Sequence, residues 1–351
     1  MTAYVFGAGA SAHARYPLAS NLLTELAAWL DSQDPEIQHI QLYRCRILQL
    51  GMVFPSLADF EGILERLASA GQERLGTAYE CPQSVRDMFE DLARGATNAH
   101  SKGFYPQYLR DDLVSAVREF FYDIEVRQSE STAYANFVRE CVTVDDTLIT
   151  FNYDVALERA LKAAGKWDIG SGYIFQFDEE RVRSPLAIHK LHGSVNWFQT
   201  PMQTAIPPIV FSRDLKLLGY EGVSDKRIGG ETCAVNNTGT LILPDTNKQF
   251  YWDALWRPLW ESAAERLRGV KQLFIHGYSL PRADQHAREL LFDNVSRDAI
   301  VHIFCRSASD RIAEEFRMRG FSKVLPNSTV GFESWVESHS SAEYRCQSSR
   351  A

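Results

Sequence analysis

The sequence has no stretch suited to crossing a membrane or to directing export. Nowhere do roughly 18 apolar residues run together. The opening residues, MTAYVFGAGAS, have no basic segment followed by an apolar stretch of signal-peptide length. These absences disfavour a transmembrane span and a secretory signal, so we expect a cytoplasmic protein with no membrane partner.

Paired cysteines are also missing. The six cysteines are scattered and form no C-x-x-C pair; they are Cys45, Cys81, Cys141, Cys233, Cys305 and Cys346. This spacing disfavours both a zinc ribbon and a disulfide framework. We therefore expect no bound metal and free thiols, most of them buried.

Clusters of positive charge are lacking too. The formal net charge is -8, and no run of five or six lysines or arginines occurs. A protein that binds nucleic acid directly needs such an electrostatic footprint, so none is expected here. What is present is an ordinary globular composition, 45% hydrophobic and 23% charged, in 351 residues, enough for one large domain or two modest ones.

Strand patterns alternate with helix patterns along much of the chain. Strands are predicted at Thr2–Phe6 and Thr147–Phe151, at the end of LAIHKLHGS, and over LILP, QLFIHGYS and AIVHIFCRS. Helices are predicted over NLLTELAAWL, capped by Ser20, and from Asp154, about Tyr251, Ala283 and Ser309. This alternation predicts an α/β fold, a Rossmann-like doubly wound parallel sheet covered on both faces.

Two regions interrupt the alternation. Residues 31–145 have helical periodicity, as in LADFEGILERLASA and DDLVSAVREFFYDI, and predict a helical insertion subdomain. The stretch from about 195 to 240 is rich in loop signals and predicts an irregular insertion. The sheet domain is thus expected over 1–30 and 146–336, with a polar tail at 337–351. Trp252, Trp256 and Trp260 share a helix face, and this spacing favours core packing or an oligomer contact.

Four segments with small or polar residues follow predicted strands: GAGAS, FNYD, LHGS and GYSLPRAD. In a doubly wound sheet, ligands bind at the carboxyl ends of the strands, so these segments are the candidate site. Gly7 and Gly9 suit either an anion-binding loop or a purely structural tight turn. The full G-x-G-x-x-G pattern is absent, as is an acidic residue about 20 positions on, which disfavours an ordinary Rossmann dehydrogenase.

Single polar residues in these segments have two interpretations each. Asp154 is either a helix cap or a site residue, and Asn152 is either a turn residue or a ligand-binding amide. His192 is either a packed core histidine or a general base, while His189 is expected to be structural. Their occurrence in order, after separate strands that include the glycine loop, favours the functional interpretation.

The ordered set GAGAS, TFNYD, KLHGS and HGYSLPRAD resembles the sirtuin superfamily, most of all the bacterial sirtuin-like proteins that hydrolyse NAD in antiphage defence. The resemblance implies Asn152, Asp154 and His192 as catalytic residues, with His192 as the base. It implies that NAD is held by Gly7, Ala8, Gly9, Ser11, Gly277, Ser279 and Arg306. It covers Gly7 to Asp284 and leaves the helical insertion and the segment from about 195 to 240 unmatched.

This resemblance implies an NAD hydrolase that yields ADP-ribose and nicotinamide, with NAD as substrate and no metal. It also implies an abortive-infection effector gated by homo-oligomerisation or by a separate ATPase or nucleic-acid-sensing partner. Two alternatives remain, a non-catalytic NAD or ADP-ribose sensor and an NAD-dependent protein deacylase. The chain departs from the deacylating sirtuins because ARYPLAS, in which only Pro17 matches, replaces their G-I-P-D-F-R stretch, and because the four-cysteine zinc module is missing.

Overall fold

The structure is a computed structural model of the chain. It describes residues 1–53, 63, 106–127, 131–168, 172–173, 186–199, 209–211, 227–228, 231–232, 239–241, 257–282 and 284–340. The predicted helix over LADFEGILERLASA lies outside the described residues except for Ile63, which is buried. Trp252 and Trp256 also lie outside them, whereas Trp260 is buried, 7% exposed.

A six-stranded parallel sheet forms the centre of the fold. Its strands are β1 (Thr2–Phe6), β2 (Thr147–Thr150), β3 (Ile188–Lys190), β9 (Gln272–His276), β10 (Ile300–Phe304) and β11 (Val324–Asn327). They lie in the order β11-β10-β9-β1-β2-β3, and every pairing is parallel. The chain therefore winds outwards from β1 in one direction and outwards from β9 in the other. This confirms the predicted Rossmann-like, doubly wound α/β fold.

Ten helices are described. They are α1 (Ala8–Ser11), α2 (Leu22–Ser32), α3 (Gln38–Val53), α4 (Pro106–Arg127), α5 (Thr132–Glu140), α6 (Ala156–Ala163), α7 (Arg257–Arg268), α8 (Gln285–Asn294), α9 (Ser309–Met318) and α10 (Phe332–Ser340). Short 3₁₀ turns follow α1 at Ala12–Ala14 and precede α9 at Arg306–Ala308.

One face of the sheet carries two rows of aromatic rings that run across three strands. The first row joins Phe6, His276 and Phe304, and the second joins Tyr4, Phe274 and His302. The rings of each row are stacked because parallel pairing places their residues in register. Rings of α5 and α10 pack onto this face; they are Phe137, Phe332 and Trp335.

The opposite face of the sheet is aliphatic. Val5, Ile149, Ile275 and Ile303 are fully buried there. Helix α7 contacts β2 and β3, and its Ser262 hydroxyl lies 3.2 Å from Nε2 of His189. Burial lowers the pKa of His189 to about 4, consistent with the structural role expected for it. The sheet is thus covered on both faces, as the alternation predicted.

The stretch expected to be an irregular insertion contains two small antiparallel sheets. β4 (Gly193–Gln199), β5 (Ile209–Phe211) and β8 (Gly239–Leu241) form one, and β6 (Arg227–Ile228) pairs with β7 (Glu231–Thr232) in the other. These short strands were not predicted within the irregular insertion. The Gly229-Gly230 pair, interpreted as a loop signal, is also a hairpin-turn signal, because two glycines suit a two-residue connection between antiparallel strands.

Several helix ends differ from those predicted. Ser20 does not cap α2: its hydroxyl donates to Oδ1 of Asn21, which directly precedes the helix. α6 begins at Ala156 rather than Asp154, and α8 begins after Asp284. α10 continues to Ser340, so residues 337–340 are helical rather than a loose tail. Of the thiols, Cys45, Cys141 and Cys305 are free and half-buried, so the expected burial was too strong.

The chain divides into two compact units. One comprises 1–18, 121–242 and 248–351 and contains the six-stranded sheet; the other comprises 19–120 and 243–247. The second unit holds α2 and α3 and has an ion pair of 2.6 Å between Arg46 and Asp112. Helix α5 belongs to the sheet unit although residues 31–145 were expected to form the insertion, because Tyr134 and Phe137 pack onto the aromatic face. No helix in the described residues is long and apolar enough to span a bilayer.

Candidate functional site

The backbone ladder of the sheet extends one residue beyond the ends of four strands. Leu191 N–H donates to Thr150 O at 3.0 Å and Phe151 N–H to Phe6 O at 2.9 Å. Gly7 N–H donates to His276 O at 3.0 Å and Gly277 N–H to Phe304 O at 2.9 Å. The four segments singled out in the sequence therefore begin side by side along the carboxyl edge of the sheet, which includes the switch point between β1 and β9.

Two glycine-bearing loops interlock at that switch point. Gly9 N–H donates to Gly277 O at 3.0 Å. A Cβ on Gly7 would lie 2.5 Å from Cα of Tyr278, and one on Gly277, whose φ is +63°, would lie 2.2 Å from Ala10 N. Side chains at these positions are excluded by the backbone of the facing loop. The close packing of the two loops thus explains why glycine occupies these positions, without a ligand.

Ser11 links the glycine loop to the segment after β2. Nδ2 of Asn152 donates to Oγ of Ser11 at 3.0 Å, and the Tyr134 hydroxyl lies 3.0 Å from the same Oγ. Ser11 is fully buried and Asn152 is 7% exposed. Burial is the main cause of a strongly raised Tyr134 pKa, so its hydroxyl stays protonated. The amide and hydroxyl of two predicted site residues are thereby brought into direct contact.

Asp154 begins a second polar cluster. Its Oδ1 accepts from Ala156 N–H at 3.1 Å, which shapes the entry to α6, and its backbone oxygen accepts from Nζ of Lys190. Lys190 also pairs with Glu158 at 2.7 Å, and the Tyr173 hydroxyl donates to Glu158 at 3.0 Å. Burial raises the pKa of the Asp154 carboxyl, while the Lys190 ammonium opposes that shift. A hydrogen bond from Ser11 also opposes this rise in pKa, so Asp154 both shapes the entry to α6 and joins the Ser11 cluster.

His192 lies in the two-residue turn between β3 and β4 and is paired with a carboxylate. Its Nε2 lies 2.9 Å from Oδ2 of Asp284, and the Tyr278 hydroxyl donates to the same Oδ2 at 2.5 Å. The imidazole also contacts the ring of Phe151, with centroids 4.9 Å apart. The side chains of His192 and Asp284 are 4% and 0% exposed, so this pair is buried.

The segment from Gly277 to Asp284 spans the carboxyl edge. It leaves β9, yet Tyr278 stacks on Phe151 beyond β2 at 4.1 Å, and Asp284 reaches His192 beyond β3. Leu280 within it is fully buried with a left-handed φ of +49°. A non-glycine residue in that region is strained, and such strain is common at functional sites. This crossing segment contributes to the burial of His192.

Three predicted site residues lie outside the buried cluster. Ala8 is half-buried in α1, and Ser279 is exposed, with its carbonyl accepting from Arg311. Arg306 is exposed after β10 with a φ of +44°, and its backbone oxygen accepts from Ser309 N–H. Arg306 follows β10, and β9 lies between β10 and the strands β1, β2 and β3. Arg306 is therefore separated from the residues that follow those three strands.

The partners of the predicted residues were not evident from the motifs. Asp284 ends the GYSLPRAD segment but is not among the predicted site residues, and neither are Tyr134 and Tyr278. An acidic residue after a G-Y-S turn is a signal that could have been used for Asp284; Tyr134 offers none, because it lies on a helix remote in sequence. Among the described residues, no group of three or more His, Cys, Asp and Glu side chains is placed to hold a metal ion.

Comparison with known proteins gives a likeness in structure alone. No family model matches the sequence, and no curated protein matches it.

Solved structures that resemble the chain include a Sir2 homologue in complex with NAD, at 10% identity and a TM-score of 0.46, covering 99% of this chain and 90% of the other. A Sir2 homologue variant in complex with ADP-ribose matches at 10% identity and a TM-score of 0.44, covering 99% and 93%. A structure addressing the mechanism and regulation of Sir2 enzymes matches at 13% and 0.40, covering 97% and 92%. A likeness of this size does not by itself make the chain a member of the Sir2 family.

Proposed function

We propose that this chain binds NAD at the carboxyl edge of its sheet and hydrolyses it to ADP-ribose and nicotinamide. One observation carries the proposal: the segments after β1, β2, β3 and β9 meet in a single cluster in which Asn152 contacts Ser11 and His192 contacts Asp284. A purely structural turn would need neither an amide in contact with Ser11 nor an imidazole paired with a buried carboxylate. The dinucleotide is proposed to be NAD because the sequence motifs of this chain resemble those of the sirtuin superfamily.

Cleavage of NAD can be catalysed by neutral side chains and does not require a strong acid. Cleavage of the bond between ribose and nicotinamide develops positive charge on the sugar, while the nicotinamide, already cationic, leaves as a neutral molecule. Asn152 would orient the ribose and a water molecule, because an amide both donates and accepts hydrogen bonds. His192 would accept a proton from the water or from a ribose hydroxyl, a step that typically contributes about 10²- to 10⁴-fold in rate.

The remaining predicted residues would hold the rest of the dinucleotide. We assign Gly7, Ala8, Gly9 and Ser11 to the pyrophosphate, Gly277 and Ser279 to the phosphates or adenosine ribose, and the exposed Arg306 to the adenosine side. Gly9 N–H already donates to Gly277 O at 3.0 Å, so a phosphate oxygen would either displace that bond or use other donors of the loop. Asp154 would orient the pocket through its hydrogen bond with Ser11 and through the entry to α6.

Burial of the cluster supports a gated enzyme. His192 is 3% exposed and Asn152 7%, so NAD reaches them only after neighbouring groups move. We propose that oligomerisation or a partner, such as a separate ATPase or nucleic-acid sensor, promotes this opening, and that NAD depletion serves antiphage defence in the bacterial cytoplasm. Phage challenge of cells expressing the chain with its neighbouring genes tests that role, and unchanged phage yield would contradict it.

Nicotinamide release from NAD tests the enzymatic activity. Purified protein, alone and with candidate activators, should release nicotinamide, and His192→Ala and Asn152→Ala should each lower kcat about 10²-fold or more while remaining folded. Asp310→Asn, at an exposed position on α9, is the matched control and should keep wild-type turnover. Unchanged turnover in either site variant would reject the assignment.

The same burial favours a second candidate function, a sensor that binds NAD or ADP-ribose without cleaving it. A sensor predicts that NAD stabilises the protein under every condition while no nicotinamide appears. A protein deacylase, the third alternative, predicts that NAD is consumed only when an acyl-lysine peptide is present. Running the assay with and without such a peptide separates all three.

A further inference from the structure

We infer that Asp284 is a positioning residue for His192: it fixes the tautomer of the imidazole and stabilises the imidazolium formed when His192 accepts a proton. This inference rests on the proposed function, in which His192 is the base. It assigns a role in catalysis to the last residue of the GYSLPRAD segment, which contacts His192 and has no assigned contact with NAD.

The hydrogen-bond geometry determines the tautomer. An ionised carboxylate only accepts hydrogen bonds, and the Oδ2 atom of Asp284 faces two groups, His192 Nε2 at 2.9 Å and the Tyr278 hydroxyl at 2.5 Å. Both groups therefore donate to it. With the hydrogen on Nε2, the lone pair of a neutral His192 lies on Nδ1, so Nδ1 is the atom that takes up the proton during the reaction.

Because the pair is buried, the charge of Asp284 has a strong effect on the protonation of His192. The side chains of His192 and Asp284 are 4% and 0% exposed, and an imidazolium formed in such surroundings is costly unless a counter-charge is present. The carboxylate supplies that counter-charge at hydrogen-bonding distance. Its own charge is stabilised in turn by the Tyr278 hydroxyl, because hydrogen bonds to an ionised acceptor are stronger than those between neutral groups.

The backbone holds Asp284 in place from both sides. Asp284 directly precedes α8, and its N–H donates to Pro281 O at 3.2 Å. The preceding turn is held by Arg288, which donates to Leu280 O at 3.3 Å, and by Arg311, which donates to Ser279 O. The phenol of Tyr153 also lies beside the imidazole, with its ring centroid 6.4 Å from that of His192. Asp284 is thus a rigidly mounted acceptor.

Steady-state kinetics of NAD cleavage test the inference. Asp284→Asn keeps the side-chain volume but removes the charge and permits the other orientation of the imidazole. We expect kcat to fall about 10²-fold with KM for NAD within threefold of wild type, and Tyr278→Phe to lower kcat about three- to tenfold. Asp293→Asn, an exposed position on the same helix, is the control and should match wild type. A kcat for Asp284→Asn within threefold of wild type would overturn the inference.

A measurement independent of turnover separates this inference from the proposed function. Nitrogen-15 NMR of histidine-labelled protein should show His192 with its hydrogen on Nε2 in the wild type, identified by loss of the signals in His192→Gln. Asp284→Asn should shift that population toward Nδ1–H. If the wild type cleaves no NAD either alone or with the candidate activators, the proposed function fails. If His192 carries its hydrogen on Nδ1 in the wild type, the inference fails, whatever the turnover.

Discussion

Gly277 is the residue at which the two glycine loops meet most closely. Replacement by alanine would place a Cβ 2.2 Å from Ala10 N and impose the left-handed φ of +63° on a residue with a side chain. We expect Gly277→Ala to lower the free energy of unfolding by about 3 kcal/mol or more, because backbone atoms have to separate. Urea denaturation provides the measurement.

Gly165 is a matched control for that substitution. Its φ is +65°, nearly the same, but a Cβ there meets nothing within 4 Å. Gly165→Ala should therefore lower the free energy of unfolding by about 1 kcal/mol, which is the cost of holding an alanine at a positive φ. Equal losses for the two variants would show that the interlocking of the loops contributes nothing to stability.

Arg306 combines a strained backbone with an exposed side chain. Its φ is +44°, a conformation in which asparagine is more favourable than arginine. Arg306→Asn should leave the free energy of unfolding unchanged or raise it by about 0.5 kcal/mol, while weakening NAD binding if the guanidinium contacts the adenosine side. Calorimetric titration with NAD and urea denaturation give the two quantities. Unchanged NAD affinity would remove Arg306 from the site.

At the scale of residues, short-range patterns were predictable and long-range partners were not. GAGAS could be identified as a special loop because glycines at fixed spacing restrict what the backbone does. The pairing of His192 with Asp284 could not, since it depends on how far the segment after β9 extends across two other strands. The candidate site was thus predicted as a set of strand ends without its internal contacts.

The aromatic row of β1, β9 and β10 makes a prediction at the scale of elements. His276 is fully buried within it, and neither ring nitrogen has a hydrogen-bond partner in the described residues. Burial, followed by the neighbouring His339 and His302, lowers the pKa of His276 to about 3. The unfolded chain, with an ordinary histidine pKa near ~6.5, binds a proton at higher pH than the folded chain does.

The contribution of neutral His276 to the free energy of unfolding therefore has its full value above about pH 6.5 and decreases as the pH falls toward 3. Between pH 7 and pH 5 this amounts to about 2 kcal/mol of unfolding free energy. His276→Phe, which keeps an aromatic ring between Phe6 and Phe304, should abolish that share of the decline. The shares of the other histidines whose pKa values burial lowers should remain; they are His13, His189, His302 and His339. Urea denaturation at the two pH values compares the slopes, and an identical decline in both proteins would refute the prediction.

Elements were predictable where apolar runs were long and uninterrupted. β1 matches its predicted span, Thr2–Phe6, and β9 and β10 lie within theirs. The strand predicted within LAIHKLHGS ends at Lys190, before LHGS, but the start of β4 at Gly193 was not predicted. Gly193, with a φ of +80°, directs the chain out of the parallel sheet there. Alternating side chains do not reveal which sheet a strand joins, so this change was invisible in the sequence.

Ligand binding makes a prediction for the whole molecule. NAD binds only the folded chain in our proposal, so NAD at 100 times its dissociation constant should add about 2.7 kcal/mol to the free energy of unfolding. His192→Ala should retain most of that gain, since it removes the base and leaves the pyrophosphate loop intact. Thermal unfolding with and without NAD measures the shift. No stabilisation of the wild type at any NAD concentration would contradict both the hydrolase and the sensor.

For the molecule as a whole, the fold class followed from the alternation of elements, because helices between strands compel parallel pairing. The division into units did not follow. Helix α5 shares its amphipathic pattern with α4, and only its contacts with the aromatic face assign it wholly to the sheet unit, whereas α4 is divided between the units at Phe120 and Phe121.

The strand order β3-β2-β1-β9-β10-β11 has a consequence for dissecting the protein. Asn152 and His192 belong to the amino-terminal half of the winding and Asp284 to the carboxyl-terminal half. A polypeptide opened between Gln199 and Arg257 would leave two fragments, each with an incomplete set of the proposed site residues. If each fragment were fused to one of two tags that bind each other, NAD would be cleaved only when the tags associate. NAD loss would then report the association of the two tags.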